Sequence, residues 1–149
     1  MKQFWIFRTL FVVTSLAFIP ACTPAHAQND HHTMTANVPF AFELGSKHLA
    51  PGTYTVTTPI NGVVELRSSS DAAIIMANHG ESSKPTKTAK LVFDRCGDHY
   101  FLRQLWFSPQ ENTYLESPES KAEKQAKRSE LASNSKSPSN VELAMLRIP

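Results

Sequence analysis

The chain has 149 residues, of which 41% are hydrophobic, so it can hold one domain with a modest core and not more. It carries 15 Lys and Arg residues against 13 Asp and Glu residues, a formal net charge of +2. Removing Lys2 and Arg8 leaves 13 basic residues against 13 acidic ones, so the remaining chain is formally neutral and indicates no nucleic-acid partner.

The first 27 residues have the pattern of a secretory signal peptide. Lys2 and Arg8 precede an apolar run over residues 10–19, and Ala25-His26-Ala27 forms a small-residue cleavage site. The apolar run is too short to span a bilayer stably. We therefore expect cleavage after Ala27 and export to the periplasm or the medium.

Cys22 offers an alternative interpretation of this segment. Ile19-Pro20-Ala21-Cys22 loosely resembles a bacterial lipoprotein box, in which the cysteine is acylated and becomes the N-terminus. Pro20 departs from that pattern, and the downstream Ala-His-Ala site is the better one. Membrane association is therefore expected only if Cys22 is acylated.

Cleavage after Ala27 would leave Cys96 as the single cysteine, which excludes an intramolecular disulfide. A lone thiol in an oxidising compartment is either buried or open to pairing between molecules. A cysteine beside a turn, without chemistry of its own, is the favoured interpretation.

The remaining chain divides into a flexible N-terminal segment, residues 28–36, and one β-rich domain, residues 37–149. Residues 38–44 alternate between apolar and other side chains, which predicts a half-buried strand. Leu49-Ala50-Pro51-Gly52 then has the signature of a type II turn.

The next strands are predicted over residues 54–58 and 63–68. A three-residue loop that ends at Gly62 pairs Val56 with Leu66 and places the apolar residues on one face, with Gly62 left-handed. Residues 73–77 are an unbroken apolar run, which predicts a strand covered on both faces. Residues 78–88 are expected to form a mobile loop.

Residues 89–107 contain the strongest local signal, two β-type runs around Gly97-Asp98. A two-residue loop places Cys96 opposite His99 and Phe93 opposite Leu102. One face of the predicted hairpin is nearly all apolar: Ala89, Leu91, Phe93, Tyr100, Leu102 and Trp106. The other face mixes apolar and charged side chains: Lys90, Val92, Asp94, His99, Phe101, Arg103, Leu105 and Phe107.

The last third of the chain changes character. Ser117 followed by Pro118 predicts an N-cap and a helix over residues 118–131. Residues 141–148 are expected to form a final strand, although a short helix remains open. The fold class is therefore mainly β, an antiparallel sandwich or partly open barrel of about seven strands with one late α-helix.

Two blocks of the sequence resemble a family of small exported proteins that is abundant in acidobacteria. The segment NVPFAFELGSKHLAPGTYTV is similar to its VPF-F-G-LPAGTY-V opening, and LVFDRCGDHYFLRQLW to its LVF-R-GD-YFL--W hairpin. With the charged helix, the resemblance covers most of residues 37–131. It implies export and a small β domain, and it carries no activity. Cys96 stands where this family usually has Tyr, which argues against an essential thiol.

The sequence contains no catalytic motif, no metal-ligand spacing and no Gly-rich phosphate loop, so neither an enzyme nor a cofactor is indicated. We expect a non-catalytic binding or structural protein of the cell envelope. Asp94, His99, Arg103 and Phe101 are candidate binding residues, and the first three could also form a small catalytic site, the less favoured alternative. Two partner types remain open, a second copy of the chain through a strand edge and another envelope protein.

Overall fold

The computed structural model describes residues 33–133 and 139–147. The predicted signal peptide, with Cys22, lies outside the described residues. No helix of the described residues is long and apolar enough to cross a membrane.

The described residues form twelve strands and one helix. In chain order they are β1 Thr33–Val38, β2 Phe42–Leu44, β3 Lys47–Leu49, β4 Gly52–Thr57, β5 Val63–Arg67, β6 Ala72–Met76, β7 Asn78–Glu81, β8 Lys90–Cys96, β9 His99–Trp106, β10 Thr113–Glu116, α1 Lys121–Ala132, β11 Ser139–Ala144 and β12 Leu146–Arg147.

The strands form two sheets, which confirms the mainly β fold and fits a sandwich better than a barrel. The first sheet has the order β12-β1-β4-β5-β6, and the second has β11-β8-β9-β10-β7 with β2 and β3 attached. Neighbouring strands are antiparallel, except for one parallel bridge between Glu43 of β2 and Phe101 of β9. The apolar side chains of both sheets meet in one core, which includes Val38, Phe42, Tyr54, Val56, Leu66, Leu91, Phe93, Leu102 and Leu105.

Strand β1 begins earlier than the sequence pattern predicted. Residues 33–36, expected to be flexible, pair with β4 because Met34 and Ala36 alternate inward in step with Val38. The predicted single strand 38–44 is broken after Val38, so that β1 and β2 lie in different sheets.

The predicted type II turn at residues 49–52 is also wrong. The prediction places Gly52 at position i+2, where a type II turn needs a positive φ, whereas the glycines with positive φ are Gly45, Gly62 and Gly97. Gly52 instead pairs with Val38 at the start of β4. The chain crosses from the second sheet to the first between β3 and β4.

The β4–β5 hairpin has the predicted register. Val56 pairs with Leu66, and Gly62 has φ 76°. The hydrophobic pattern decided this register, because any one-residue slip would turn Val56 or Leu66 out of the core.

Strands β6 and β7 differ from the prediction. Residues 73–77 were expected to be covered on both faces, but β6 is an edge strand on which Ile74 is 66% and Met76 79% exposed. Residues 78–81 of the predicted loop form β7, which pairs with β10. The rest of that loop is held by backbone hydrogen bonds to residues 110–112, including Gln110 N to Thr86 O at 2.8 Å.

The β8–β9 hairpin has the predicted turn and register at its tip. Cys96 pairs with His99, and Phe93 pairs with Leu102. Beyond Leu102 the register shifts by one residue, because Arg103 is an extra residue in β9. The shift reverses the alternation, so Leu105 joins the core, whereas Trp106 is still buried (6% exposed) but lies outside the core cluster, the opposite of the predicted faces.

Helix α1 begins three residues later than predicted. Ser117 donates its backbone N–H to Arg103 O at 2.8 Å, so it continues the strand instead of capping the helix. Ser120 is the N-cap, and its hydroxyl accepts from Glu123 N at 3.0 Å.

The C-terminal segment is extended, so the short-helix alternative is wrong. Strand β11 pairs with β8 in the second sheet, and β12 pairs with β1 in the first. Met145 lies buried between them, and its N–H bonds to Ala89 O at 2.9 Å. The last strands therefore connect both sheets.

Candidate functional site

Helix α1 packs on the outer face of the β8–β9 hairpin, opposite the core. Alternation along β8 sends Leu91 and Phe93 into the core and Asp94 and Cys96 outward. On β9 the same rule sends Phe101 outward, and the bulge adds Arg103 to that side. The helix meets this face at two sites, an ion-pair cluster and a groove.

The first half of α1 is attached through a cluster of charges around Arg103. The guanidinium lies 2.5 Å from Glu116 Oε1, 3.6 Å from Glu123 Oε1 and 3.8 Å from Asp94 Oδ2. Nη1 also donates to Ser117 O at 2.6 Å. One side chain thus ties β8, β10 and α1 to the bulge of β9.

Lys127 completes this cluster from the helix. Its Nζ lies 2.8 Å from each of three carboxylates, those of Asp94, Glu119 and Glu123. The side chain of Glu123 is only 3% exposed, and its Oε1 meets both cations at ion-pair distances without hydrogen-bond geometry. Two cations and four carboxylates therefore form one network, with Arg103 and Lys127 as its centres.

The network shifts the ionisation of its members. Burial lowers the pKa of Lys127, but the carboxylates of Asp94, Glu119 and Glu123 around its ammonium outweigh burial and raise the pKa overall. The same ammonium lowers the pKa of Glu119. Both groups are therefore held charged at neutral pH.

The structure brings some of the predicted site residues together and not others. Asp94 and Arg103 are neighbours in the network, as the predicted hairpin face required. His99 lies four residues from Arg103 along β9, with Phe101 between them, and its side chain is 66% exposed. Its ionisable neighbour is Glu43, with 3.8 Å between Nδ1 and Oε1. The three residues therefore form no joint acid–base site.

One face of α1, along its whole length, and the tip of the hairpin border a groove of about 680 Å³. Its walls come from β2, the hairpin tip and α1, and they are lined by Glu43, Cys96, Gly97, Asp98, His99, Phe101, Ala122, Gln125, Ala126, Ser129, Glu130 and Ser133. The volume lies within the range of about 300–1,000 Å³ that small-molecule sites occupy. We call this feature the hairpin–helix groove.

Cys96 lies at the base of the groove and is buried. Burial, and next the charge of Glu130, raise the pKa of its thiol to about 11. The thiol is therefore protonated at neutral pH and a poor nucleophile. This agrees with the interpretation of Cys96 as a residue without chemistry of its own.

Sequence reasoning missed the helix residues of the site. Lys127, Glu123 and Glu130 fall within the predicted helix over residues 118–131, but none of them was named as a site residue. Ser120 and Glu123 have the spacing of a capping box. That spacing gives the correct start of α1.

Among the described residues, no three His, Cys, Asp or Glu side chains are grouped so that they could hold a metal ion. Comparisons with protein-family models, curated proteins and solved structures found no match for this chain.

Proposed function

We propose that this protein is an exported, non-catalytic binding domain of the cell envelope, and that the hairpin–helix groove is its binding site. The observation that carries the proposal is the groove itself. It combines an apolar wall, which includes Phe101, with polar groups from three different elements. A pocket with those properties is the usual form of a small-ligand site.

The charge network supports a non-catalytic function. Asp94 and Arg103 were the residues from which a proton-transfer site could have been built, and both are used to hold α1 on the sheet. The groove offers instead a thiol whose pKa is raised and a histidine at its exposed rim. These groups suit recognition better than acid–base or nucleophilic chemistry.

Export rests on the sequence pattern of residues 1–27. Intact mass spectrometry of the protein purified from its own cells tests it directly. We expect a chain that begins at Gln28 in a soluble fraction. A chain that begins at an acylated Cys22 in the membrane fraction would replace the soluble proposal with a lipid-anchored one.

Binding in the groove is tested by native mass spectrometry after incubation with a small-molecule extract of the producing cells. Ala122 lines the groove, so Ala122→Trp should fill it, whereas Ala132→Trp at the end of the same helix should not. We expect an adduct on the unmodified protein and on the Ala132→Trp variant that the Ala122→Trp variant lacks. An adduct that all three proteins carry equally would place binding elsewhere.

A further inference from the structure

We propose that the hairpin–helix groove binds an organic cation, an ammonium group attached to an apolar or aromatic body. This inference rests on the proposed function, because it names the ligand class of the same groove. Three observations carry it: the charge of the lining, a carboxylate oxygen without a partner, and the aromatic wall.

The lining carries negative charge that no lining cation balances. Glu43, Asp98 and Glu130 contribute carboxylates, and neither Lys nor Arg is among the lining residues. His99 is the one titratable base there, at the exposed rim near Glu43. Such a lining attracts cations and repels anions, most strongly in a concave site where field lines are focused.

Two basic side chains next to the hairpin tip and the helix face are engaged elsewhere. Arg95 donates to Gly97 O at 2.9 Å and lies over the ring of Tyr100, on the other face of the hairpin. Lys127 is held between three carboxylates of the charge network. Neither side chain can neutralise the groove without giving up its present partners.

Glu130 is the residue most suited to meet an ammonium group. Its Oε1 accepts from Gly97 N at 3.3 Å, while its Oε2 is buried and has no hydrogen-bond partner among the described residues. A carboxylate oxygen that loses water without gaining a donor is unfavourable, because the lost hydration is not replaced. A small rotation of this carboxylate would let a bound ammonium group supply the missing donor through a charge-assisted hydrogen bond.

The opposite side of the groove suits the apolar body of such a ligand. Phe101, which is 3% exposed, lines the groove together with Ala122 and Ala126 of α1. The face of an aromatic ring also attracts cations, most strongly where water is excluded. Small alanine side chains leave the space that a ring or an alkyl chain would fill.

The test uses three probes of similar shape and different charge: phenethylamine, 2-phenylethanol and 3-phenylpropanoate. Each is titrated into the ¹⁵N-labelled protein, residues 28–149, and followed by NMR. The variant Glu130→Gln removes the central carboxylate, and Glu81→Gln on the exposed strand β7 is the matched control. The unfolding midpoint of each variant shows that it is folded.

We expect phenethylamine to shift the amide signals of Gly97, Phe101 and Glu130. It should bind at least about tenfold more tightly than the neutral probe, with the anionic probe weaker still, as a charge-assisted contact implies. Glu130→Gln should weaken phenethylamine about tenfold and leave the neutral probe unchanged, while Glu81→Gln should change neither.

Equal binding of all three probes in the groove would overturn the cation inference and leave the binding function standing. Binding of phenethylamine away from the groove would overturn the inference as well. If no probe shifts a groove signal and the cell extract gives no adduct that Ala122→Trp removes, both the inference and the proposed function are wrong.

Discussion

Replacing Lys127 with Met gives the most direct test of how α1 is held on the sheet. Met keeps most of the apolar stem and removes the ammonium group, so packing is largely preserved. Asp94 and Glu123 would then keep Arg103 as their cation within the network, and Glu119 would lose its ion pair there. Glu123 would be the most affected, because its side chain is nearly fully buried.

The expected loss follows from the burial of the groups involved. Removing one partner of a fully buried ion pair costs about 3–5 kcal/mol, whereas an exposed pair contributes about 0–1 kcal/mol. The Lys127 side chain is 24% exposed and its partners range from 3% to 35%, so the site lies between these limits. We expect the free energy of unfolding to fall by about 2 kcal/mol.

Urea denaturation followed by circular dichroism measures this loss. With a denaturant slope of about 1.5 kcal/mol per molar, a loss of about 2 kcal/mol lowers the midpoint by about 1.3 M. The control is Lys124→Met, on the exposed side of the same helix, which should change the free energy of unfolding by less than about 0.5 kcal/mol. Adding Glu123→Gln to Lys127→Met should recover part of the loss, because it removes the buried charge. Equal midpoints for Lys127→Met and Lys124→Met would refute this account of the network.

Three further results are expected. The folded-state pKa of Glu119 is lowered, so its contribution to the free energy of unfolding is present above its unfolded-state pKa and is lost as the pH falls through the folded-state value. The folded-state pKa of Lys127 is raised, so its contribution to the free energy of unfolding is present below about pH 10 and is lost at higher pH. Urea midpoints measured between pH 2 and 11 should fall at both ends, and Lys127→Met should flatten both limbs. Cys96 should react with iodoacetamide at pH 8 at least about 100-fold more slowly in the folded protein than in urea, because its pKa is about 11 and the thiol is buried; a rate within tenfold of the unfolded one would contradict this. Gly80→Ala should lower the free energy of unfolding by about 1–3 kcal/mol, because the added Cβ would lie 2.5 Å from the ring of Tyr114; a neutral result in urea denaturation would show that this ring moves freely.

The two hairpins could be predicted from the sequence because their information is local. In each, a glycine occupies a left-handed position, Gly62 at φ 76° and Gly97 at φ 60°, and alternating apolar residues set the register. Both turns and both registers at the turn were correct. A short loop leaves few registers to choose from, and burial of one face selects among them.

The bulge at Arg103 could not be placed from the turn alone, and it reversed the predicted faces of Leu105 and Trp106. Leu102 and Leu105 are both buried although they lie three residues apart, a spacing that strict alternation does not allow on one face of a strand. The sequence itself has apolar residues at both odd and even positions of β9, so alternation alone did not reveal the inserted residue.

The candidate site was only half predictable for a different reason. Asp94, Phe101 and Arg103 share a face that the hairpin register fixes, so their proximity followed from local pairing. Lys127 and Glu130 reach that face only because α1 docks there, and the helix has too few apolar residues to indicate its docking face. Helix α1 is attached mainly by electrostatic contacts, and the hydrophobic pattern of a sequence reveals little of such contacts.

The single inserted residue in β9 links the core, the helix and the groove. With Arg103 turned outward, Leu105 returns to the core and the guanidinium pairs with Glu123 of α1. Another face of the same helix borders the groove at the hairpin tip, where Glu130 accepts from Gly97 N. Phe101 stands between the two sites, so the network that stabilises the helix and the groove proposed to bind share no charged residue. Variants of Lys127 should therefore change stability without changing charge selectivity in the groove. Variants of Glu130 should change that selectivity without changing stability.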